Sequence, residues 1–417
     1  MNNSASILVL AVCGLLFGIT SLAAVPSDVT AYIHGQWWDG QRFEPGDRYV
    51  QDGLFVSKPA ASPARSVDLH GDYAVPPFGD AHNHMPGSPA AFNSAALDAG
   101  VFYFMNPNIM ASVVPGTRAY LAAPGRIDAK FAIGGITAPG GHPEKLYQDI
   151  LTKYVYTDMK PEQMVGDAFN YVTKAADIDP VMDKLVAEHT DFVKIFLLYS
   201  EDFAKRKDDP AVRGDKGLNP ALVPAIVAAA HKRGLKVAAH IETAADFRVA
   251  VAAGVDEAAH MPGYVALEDP VSKYAITDAD AAAKAHITVV TTSWLGGNTR
   301  DPAKRLPEVQ AMQRANLQRL QAAGVPLILG TDGDAGGVVK EAQYLVNLGV
   351  LDAPTALRLL CVDTPRFIFP ERKLGVLEPG YEASFLALSA DPTRDIGNVH
   401  KIDLREKQGL VLKPGEH

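Results

Sequence analysis

The 417-residue sequence predicts an α/β protein: a (β/α)₈ TIM barrel with a small β-sandwich-like accessory domain built from both chain ends. Apolar strand-like runs alternate with helical stretches through the middle of the chain, which favours a parallel barrel. Short strand-like runs broken by turns occupy both ends. We assign residues 25–72 and 370–417 to the β domain and residues 73–369 to the barrel.

The N-terminal segment, residues 1–24, contains no charged side chain and ends in small residues after an apolar run. This pattern predicts a signal peptide cleaved near Ala23 or Ala24, and hence export to the periplasm or secretion. An uncleaved anchor and a lipid-modified Cys13 are the alternatives. After cleavage Cys361 would be the only cysteine, so we expect no internal disulfide and interpret Cys361 as a core residue.

The charge pattern excludes some classes of partner. The formal net charge is −9 and no run rich in lysine or arginine occurs. Nucleic acid and, after signal cleavage, the membrane are therefore not the expected partners. We expect a small-molecule substrate, and the sequence leaves a homo-oligomer open.

Eight apolar runs are the predicted barrel strands: 73–78, 101–105, 130–136, 192–198, 236–240, 255–260, 287–291 and 325–330. Helical stretches between them include 220–233, 244–253, 279–285 and 307–323. Arg233-Gly234 and Ala253-Gly254 have the glycine that commonly ends a helix. A doubly wound open sheet is the alternative, but no Gly-x-Gly-x-x-Gly opens a helix after a strand.

Metal-competent and proton-competent side chains fall where these strands end. His82 and His84 share one face because side chains alternate along a strand. The set is His82, His84, Lys194, His240, His260 and Asp332, on strands one, four, five, six and eight. Each residue alone is as compatible with a structural role, but their joint position at the C-terminal rim indicates a metal site.

This set resembles that of the metal-dependent amidohydrolase superfamily, in the branch whose strand-four lysine is carboxylated. The resemblance covers residues 28–412 and includes the segment Leu374-Gly375-Val376-Leu377-Glu378-Pro379-Gly380. It implies that all six residues bind two divalent metal ions, expected to be zinc, bridged by a carbamate on Lys194. Gly140-Gly141-His142 looks like a segment of the dipeptidase-like and prolidase-like members, in which the histidine contacts the substrate near the scissile carbonyl.

The expected reaction is hydrolysis of an amide or peptide-like C–N bond in a dipeptide or N-acyl amino acid. Two metal ions can share a hydroxide at neutral pH. Asp332 would bind metal, have a lowered pKa, and carry the proton from the hydroxide to the leaving nitrogen. A lactonase or organophosphate hydrolase on the same site is one alternative. A catalytically inactive, barrel-shaped binding protein is another.

Substrate-selecting residues are expected in loops above the rim. Alongside His142, the candidates are Tyr199, Arg213 and Arg300, since a substrate carboxylate could meet either arginine. Solvated surface charge is the alternative interpretation for both arginines. Strand two, Val101-Phe102-Tyr103-Phe104-Met105-Asn106, departs from the family pattern, which predicts an altered pocket and leaves dipeptidase specificity open.

Overall fold

The computed structural model describes residues 28–85, 87–263, 269–277, 286–297 and 305–415. The strands are β1 (Thr30–Trp38), β2 (Phe43–Gln51), β3 (Leu54–Val56), β4 (Arg65–Asp68), β5 (Tyr73–Val75), β6 (Phe78–Asp80), β7 (Val101–Ile109), β8 (Asp128–Ile133), β9 (Gly135–Thr137), β10 (Phe169–Tyr171), β11 (Val193–Phe196), β12 (Val237–His240), β13 (Glu257–Ala258), β14 (Thr288–Thr291), β15 (Leu327–Leu329), β16 (Ser384–Leu388), β17 (Ile402–Lys407) and β18 (Leu410–Leu412). The α-helices are Pro89–Asp98, Val114–Leu121, Thr152–Tyr154, Ile178–Ala187, Phe203–Arg206, Val223–Lys232, Ala244–Ala253, Ser293–Gly297, Leu306–Ala322, Val338–Asn347, Ala353–Arg358 and Thr364–Ile368, and π-helical turns span Leu146–Leu151 and Leu359–Asp363.

Two parallel sheets form the centre of the molecule. One has the strand order β6-β7-β8 and the other β10-β9-β11-β12-β13-β14-β15. Each predicted barrel run contributes a strand to them, with β9 continuing β8. Backbone hydrogen bonds connect the two sheets at both junctions: Ala81 N–H donates to Leu329 over 2.9 Å, and Asp191 N–H donates to Phe131 over 2.9 Å. The fold is therefore of the TIM-barrel-type α/β class.

The first predicted run, 73–78, divides between two sheets. Tyr73–Val75 (β5) pairs with β1 and β16, whereas Phe78–Asp80 (β6) pairs with β7. Pro76 and Pro77 separate them. Because proline has no backbone N–H to donate to a ladder, the strand ends there and the chain can pass from one sheet to the next.

The other differences concern where elements begin and end. The strand predicted at 130–136 is interrupted at Gly134, which has a φ of 54°. The second strand continues to Ile109, four residues beyond its predicted end, and all of it is buried. The predicted glycine helix ends are confirmed, since Gly234 and Gly254 have φ values of 73° and 75°. The helix predicted at 279–285 lies outside the described residues.

Strands from both chain ends meet in one further sheet. Its order is β18-β17-β16-β5-β1-β2-β3, with β4 also paired to β1. Its apolar residues form a separate buried cluster, in which the Trp37 and Phe385 rings lie 5.2 Å apart. The predicted association of the tail with the N-terminal strands is thus visible as strand pairing. The exact division into domains stays a prediction.

Cys361 is fully buried and its thiol lies 3.0 Å from the Leu357 carbonyl, in agreement with its predicted core position. Within the described ranges, no helix has the length and apolar character needed to cross a membrane. The predicted signal peptide, residues 1–24, lies outside those ranges.

Candidate active site

The histidine pair emerges where β6 ends, and the chain following β15 fixes its position. The His82 carbonyl accepts two backbone hydrogen bonds of 2.8 Å, one from the N–H of Thr331 and one from the N–H of Asp332. The Asp80 carboxylate accepts from the His82 N–H at 3.2 Å and from the Thr331 hydroxyl at 3.0 Å. A Cβ at Gly330 would lie 2.7 Å from the His82 Cβ, so this close approach requires glycine. The first and last barrel strands therefore position the site together.

Asp332 lies among three imidazoles. One carboxylate oxygen lies 3.3 Å from His84 Nε2 and 3.7 Å from His82 Nε2, and the other lies 3.9 Å from His260 Nε2. The residue has a φ of 51°, in the left-handed region that side chains other than glycine seldom adopt. Such backbone conformations are often found at functional sites. Three of the predicted metal-ligating histidines thus converge on the predicted carboxylate.

Lys194 and His240 complete the ring of predicted ligands from the neighbouring strands β11 and β12. Lys194 is 2% exposed, and its ammonium nitrogen lies 5.6 Å from the centre of the Phe196 ring. The His240 ring lies 4.8 Å from the His260 ring. His142 stacks on His240, with ring centres 4.7 Å apart and planes inclined by 20°. The Gly-rich loop after β9 thus brings His142 to the site as predicted.

Burial controls the ionisation of these groups. It lowers the pKa of His84 to about 4 and that of His142 to about 3, and the positive charge of Lys194 adds to both shifts. Burial also lowers the pKa of His82, His240 and His260. The imidazoles are therefore neutral at pH 7 and have lone pairs available for a cation.

The two charged groups shift in opposite directions for the same reason. Burial lowers the pKa of the Lys194 amine, while Glu257 and Asp332 oppose this shift. Burial raises the pKa of Asp332, and Lys194 opposes that shift. Burial therefore acts against the lowered Asp332 pKa that the sequence predicts, and Lys194 offsets it only in part. Divalent cations beside the carboxylate are the groups that would lower it.

The arrangement fits a divalent metal. His82, His260 and Asp332 each offer a ligand atom, and these atoms lie within 4.8 Å of one another. Within the described part of the chain, both ring nitrogens of His82 and the Lys194 nitrogen are buried without a hydrogen-bond partner. Such groups are costly unless something binds them. Imidazole and carboxylate are also the ligands that zinc and similar ions prefer.

A cavity of about 210 Å³ opens above these side chains. Its reactive face consists of His84, His142, Lys194, His240, His260 and Asp332. Most of the remaining lining is apolar and aromatic, and this apolar wall consists of Met85, Ile109, Pro143, Leu146, Tyr147, Leu151, Tyr156 and Phe196. The pocket thus has a polar side where chemistry can occur and an apolar side that can hold the rest of a ligand.

Asn108 is a pocket residue that the sequence analysis missed. It lies in the extension of β7, and its carbonyl is 3.4 Å from His84 Nδ1. Its amide donates to the Tyr147 hydroxyl at 3.0 Å and accepts from the Gly135 N–H at 2.7 Å. Asn106-Pro107-Asn108 follows an apolar run and lies at the C-terminal end of a barrel strand. Its two asparagines are the feature that could have identified this pocket residue.

The predicted substrate residues Tyr199 and Arg213 do not line this cavity. The Arg213 guanidinium donates to Glu144 at 2.8 Å, to Asp149 at 2.6 Å and to Gln148 at 2.6 Å. The Tyr199 ring lies 3.7 Å from the Arg206 guanidinium carbon. Both are therefore engaged with neighbouring loops. Arg300, the third candidate, lies outside the described residues.

Fold and site together define a TIM-barrel-type α/β protein with a histidine-rich centre suited to divalent metal. The sequence profile of the amidohydrolase family matches residues 73–409. The chain therefore belongs to the amidohydrolase family, which confirms the predicted resemblance. The expectation of a hydrolase acting on carbon–nitrogen bonds agrees with that membership.

Individual proteins show how far the similarity extends. Ochratoxinase of Aspergillus niger is 34% identical over 94 residues, which are 21% of this chain and 20% of that protein. The sequence match thus spans a fifth of that curated relative. Its crystal structure superimposes with a TM-score of 0.70 at 18% identity, covering 94% of this chain and 97% of that one.

Two further solved structures share the fold. A Xaa-Pro dipeptidase with bound methionine has a TM-score of 0.68 at 18% identity, over 92% of this chain and 100% of that chain. Phenylurea hydrolase B has a TM-score of 0.66 at 16% identity, over 93% of this chain and 97% of that chain. At these identities the superpositions establish a common fold and leave the substrate undefined.

Proposed function

We propose that this protein is a metal-dependent hydrolase that cleaves an amide or peptide-like C–N bond. The observation that carries the proposal is the convergence of His82, His84, Lys194, His240, His260 and Asp332 around one cavity. The family membership supports the same class of reaction. We also propose that the two parallel sheets form one closed barrel with the end-built sheet as an accessory domain.

The same six residues are proposed to hold two divalent ions, with zinc expected and a carbamate on Lys194 as the bridge. Bound ions would polarise the scissile carbonyl and lower the pKa of the attacking water. The lysine must be neutral to take up carbon dioxide, and burial of Lys194 shifts its pKa in that direction. Its buried nitrogen has no hydrogen-bond partner to hold the proton.

The chain's own side chains would move the protons. Asp332 would accept the proton of the attacking water and deliver it to the leaving nitrogen, which must be protonated before the C–N bond breaks. His142 remains neutral through burial, so one ring N–H can donate to the substrate carbonyl. Its stacking on His240 would keep that ring beside the metal-binding residues.

The proposed substrates are amides of the dipeptide or N-acyl amino acid class, and the names of the structural neighbours support amide-like bonds in general. A lactonase or organophosphate hydrolase would use the same site on C–O or P–O bonds. A catalytically inactive binding protein is the alternative outside enzymology. We further propose export after cleavage near Ala23 or Ala24, which N-terminal sequencing of the secreted or periplasmic protein would test.

Two measurements test the proposed function. Elemental analysis of protein purified without chelator should give about two metals per chain under the two-metal reading. The loaded protein should then hydrolyse members of a panel of dipeptides and N-acyl amino acids faster than matched lactones and phosphotriesters. Metal content near one would support a mononuclear site, and a chain without stoichiometric metal or activity would be the inactive binding protein.

A further inference from the structure

The apolar wall of the cavity identifies the kind of group that the substrate presents. This wall comes from the loop and π-helical turn at residues 142–151, from Tyr156 and from the ends of two strands. Leu146, Leu151 and Ile109 offer only carbon atoms to the cavity. The Tyr147 hydroxyl already accepts a hydrogen bond from the Asn108 side-chain amide at 3.0 Å and donates one to the Asn108 backbone carbonyl at 3.3 Å. The wall therefore has few polar atoms left for a ligand.

No cation faces the cavity among its described lining residues except Lys194, which we assign to the metal centre. The guanidinium of the nearby Arg213 already donates hydrogen bonds to the side chains of Glu144, Gln148 and Asp149. Lys216 is also engaged, because its nitrogen donates to the Lys207 carbonyl at 2.8 Å. Among the described residues, a substrate carboxylate against this wall would therefore meet no cationic partner, and its desolvation would be strongly unfavourable.

The wall is held in place rather than free to adapt. The Glu144 carboxylate accepts from Arg213 at 2.8 Å, from the Tyr171 hydroxyl at 2.6 Å and from the Gly140 N–H at 2.6 Å. These bonds connect the loop that carries His142 to the loop that carries Arg213. On the inner side, Leu151 and Tyr156 pack against the buried cluster around Met110. The apolar surface is thus a fixed feature of the pocket.

We propose that the enzyme prefers amides bearing an uncharged apolar group of about one aromatic ring, with Leu146 as a specificity-determining residue. A cavity of about 150 Å³ lined by aliphatic and aromatic side chains is enough to bind benzene. The observed 210 Å³ has room for a ring together with the scissile group. This inference rests on the proposed amide hydrolysis and deepens it, because it places uncharged amides ahead of the carboxylate-bearing dipeptides and N-acyl amino acids in the same site.

A matched pair of amides tests the preference. N-acetylphenylalanine carries a carboxylate, and N-(2-phenylethyl)acetamide is the same molecule with hydrogen in its place. We expect kcat/KM at least tenfold higher for the neutral amide. A preference for the acid would overturn the inference. Equilibrium binding of both compounds to chelator-treated protein should show the same order by calorimetry.

Leu146 and Ile150 provide a matched pair of variants. Both are partly exposed, at 37% and 45%, on the same π-helical turn, but only Leu146 lines the cavity. Leu146→Ser should lower kcat/KM for the neutral amide by about tenfold, the scale of losing a few methylene contacts. Ile150→Ser should leave it unchanged. Leu146→Lys should shift the preference toward the acid.

The outcomes separate the two proposals. Equal effects of Leu146→Ser and Ile150→Ser would remove Leu146 from substrate selection. If no amide is cleaved by metal-loaded protein, the proposed function fails, while the binding order of the two compounds still decides the inference about the wall. Cleavage of amides with tighter binding of the acid would keep the function and refute the apolar preference.

Discussion

Gly330→Ala should disrupt the site although it replaces none of the predicted metal ligands. The added Cβ would lie 2.5 Å from Val290 Cγ1, 2.7 Å from His82 Cβ and 2.9 Å from the His82 backbone nitrogen. The Val290 methyl can rotate away, but the His82 atoms are fixed by the hydrogen bonds to Thr331 and Asp332. Since carbon atoms pack at about 3.5–4.0 Å, His82 would have to move by close to 1 Å.

The magnitude follows from that displacement. Overpacking a core position typically costs about 1–3 kcal/mol of stability. A misplacement of about 1 Å at a reactive site can lower a rate by about 10²-fold. We therefore expect a lower melting temperature, weaker metal retention during dialysis and a kcat/KM that is lower by about 100-fold. The assays are thermal unfolding, elemental analysis and initial rates on a single amide.

Gly116→Ala is the matched control. Gly116 lies in the helix Val114–Leu121, and a Cβ there would meet nothing within 4 Å. Neither glycine has a positive φ, so the two variants differ in steric surroundings rather than in backbone strain. Alanine in a helix is favoured over glycine by about 0.5–1 kcal/mol, so this variant should be slightly stabilised and fully active. Full metal retention and wild-type rates in Gly330→Ala would refute the steric reasoning.

Substitutions at three further positions test individual roles by rate and metal content. Lys194→Ala should lose activity and regain part of it when short carboxylic acids are added. Lys194→Arg should stay inactive, because a guanidinium cannot form a carbamate. Wild-type turnover in Lys194→Ala would contradict the proposed carbamate bridge. His142→Ala should retain metal and lose turnover, and metal loss would make His142 a ligand. Asp332→Asn should reduce the rate on the order of 10²–10⁴-fold, more for amides than for activated esters, and equal losses on both with metal retained would leave Asp332 as a ligand alone.

The side chains at the strand ends were predictable because local rules place them. Alternation along a strand puts His82 and His84 on one side, and a parallel barrel brings the ends of its strands to one rim. Lys194 was conspicuous because a charged residue in an apolar strand is rare. The split at Pro76-Pro77 could also have been predicted, since two residues without a backbone N–H cannot continue a ladder of hydrogen bonds.

The apolar wall and the role of Arg213 were not predictable in this way. Leu146 and Leu151 reach the cavity from a π-helical turn whose position depends on bonds between distant loops. Arg213 pairs with Glu144, 69 residues earlier in the chain. A charged loop residue that binds another loop has the same local sequence as one that binds a substrate. Only the three-dimensional arrangement distinguishes the two.

The buried charges around Lys194 explain why the proposed metal binding and the proposed lysine carboxylation would depend on each other. Glu257 and Asp332 both raise the pKa of Lys194 while burial lowers it, so the amine experiences the negative charge of two carboxylates in a region that disfavours charge. A carbamate would reverse the charge at this position and set it against those same carboxylates. That state is favourable only when cations are present, and the bridging carbamate in turn strengthens the cation site. By linkage, each event must promote the other to the same extent, so the proposed bridge and the proposed metal pair should form as one cooperative unit.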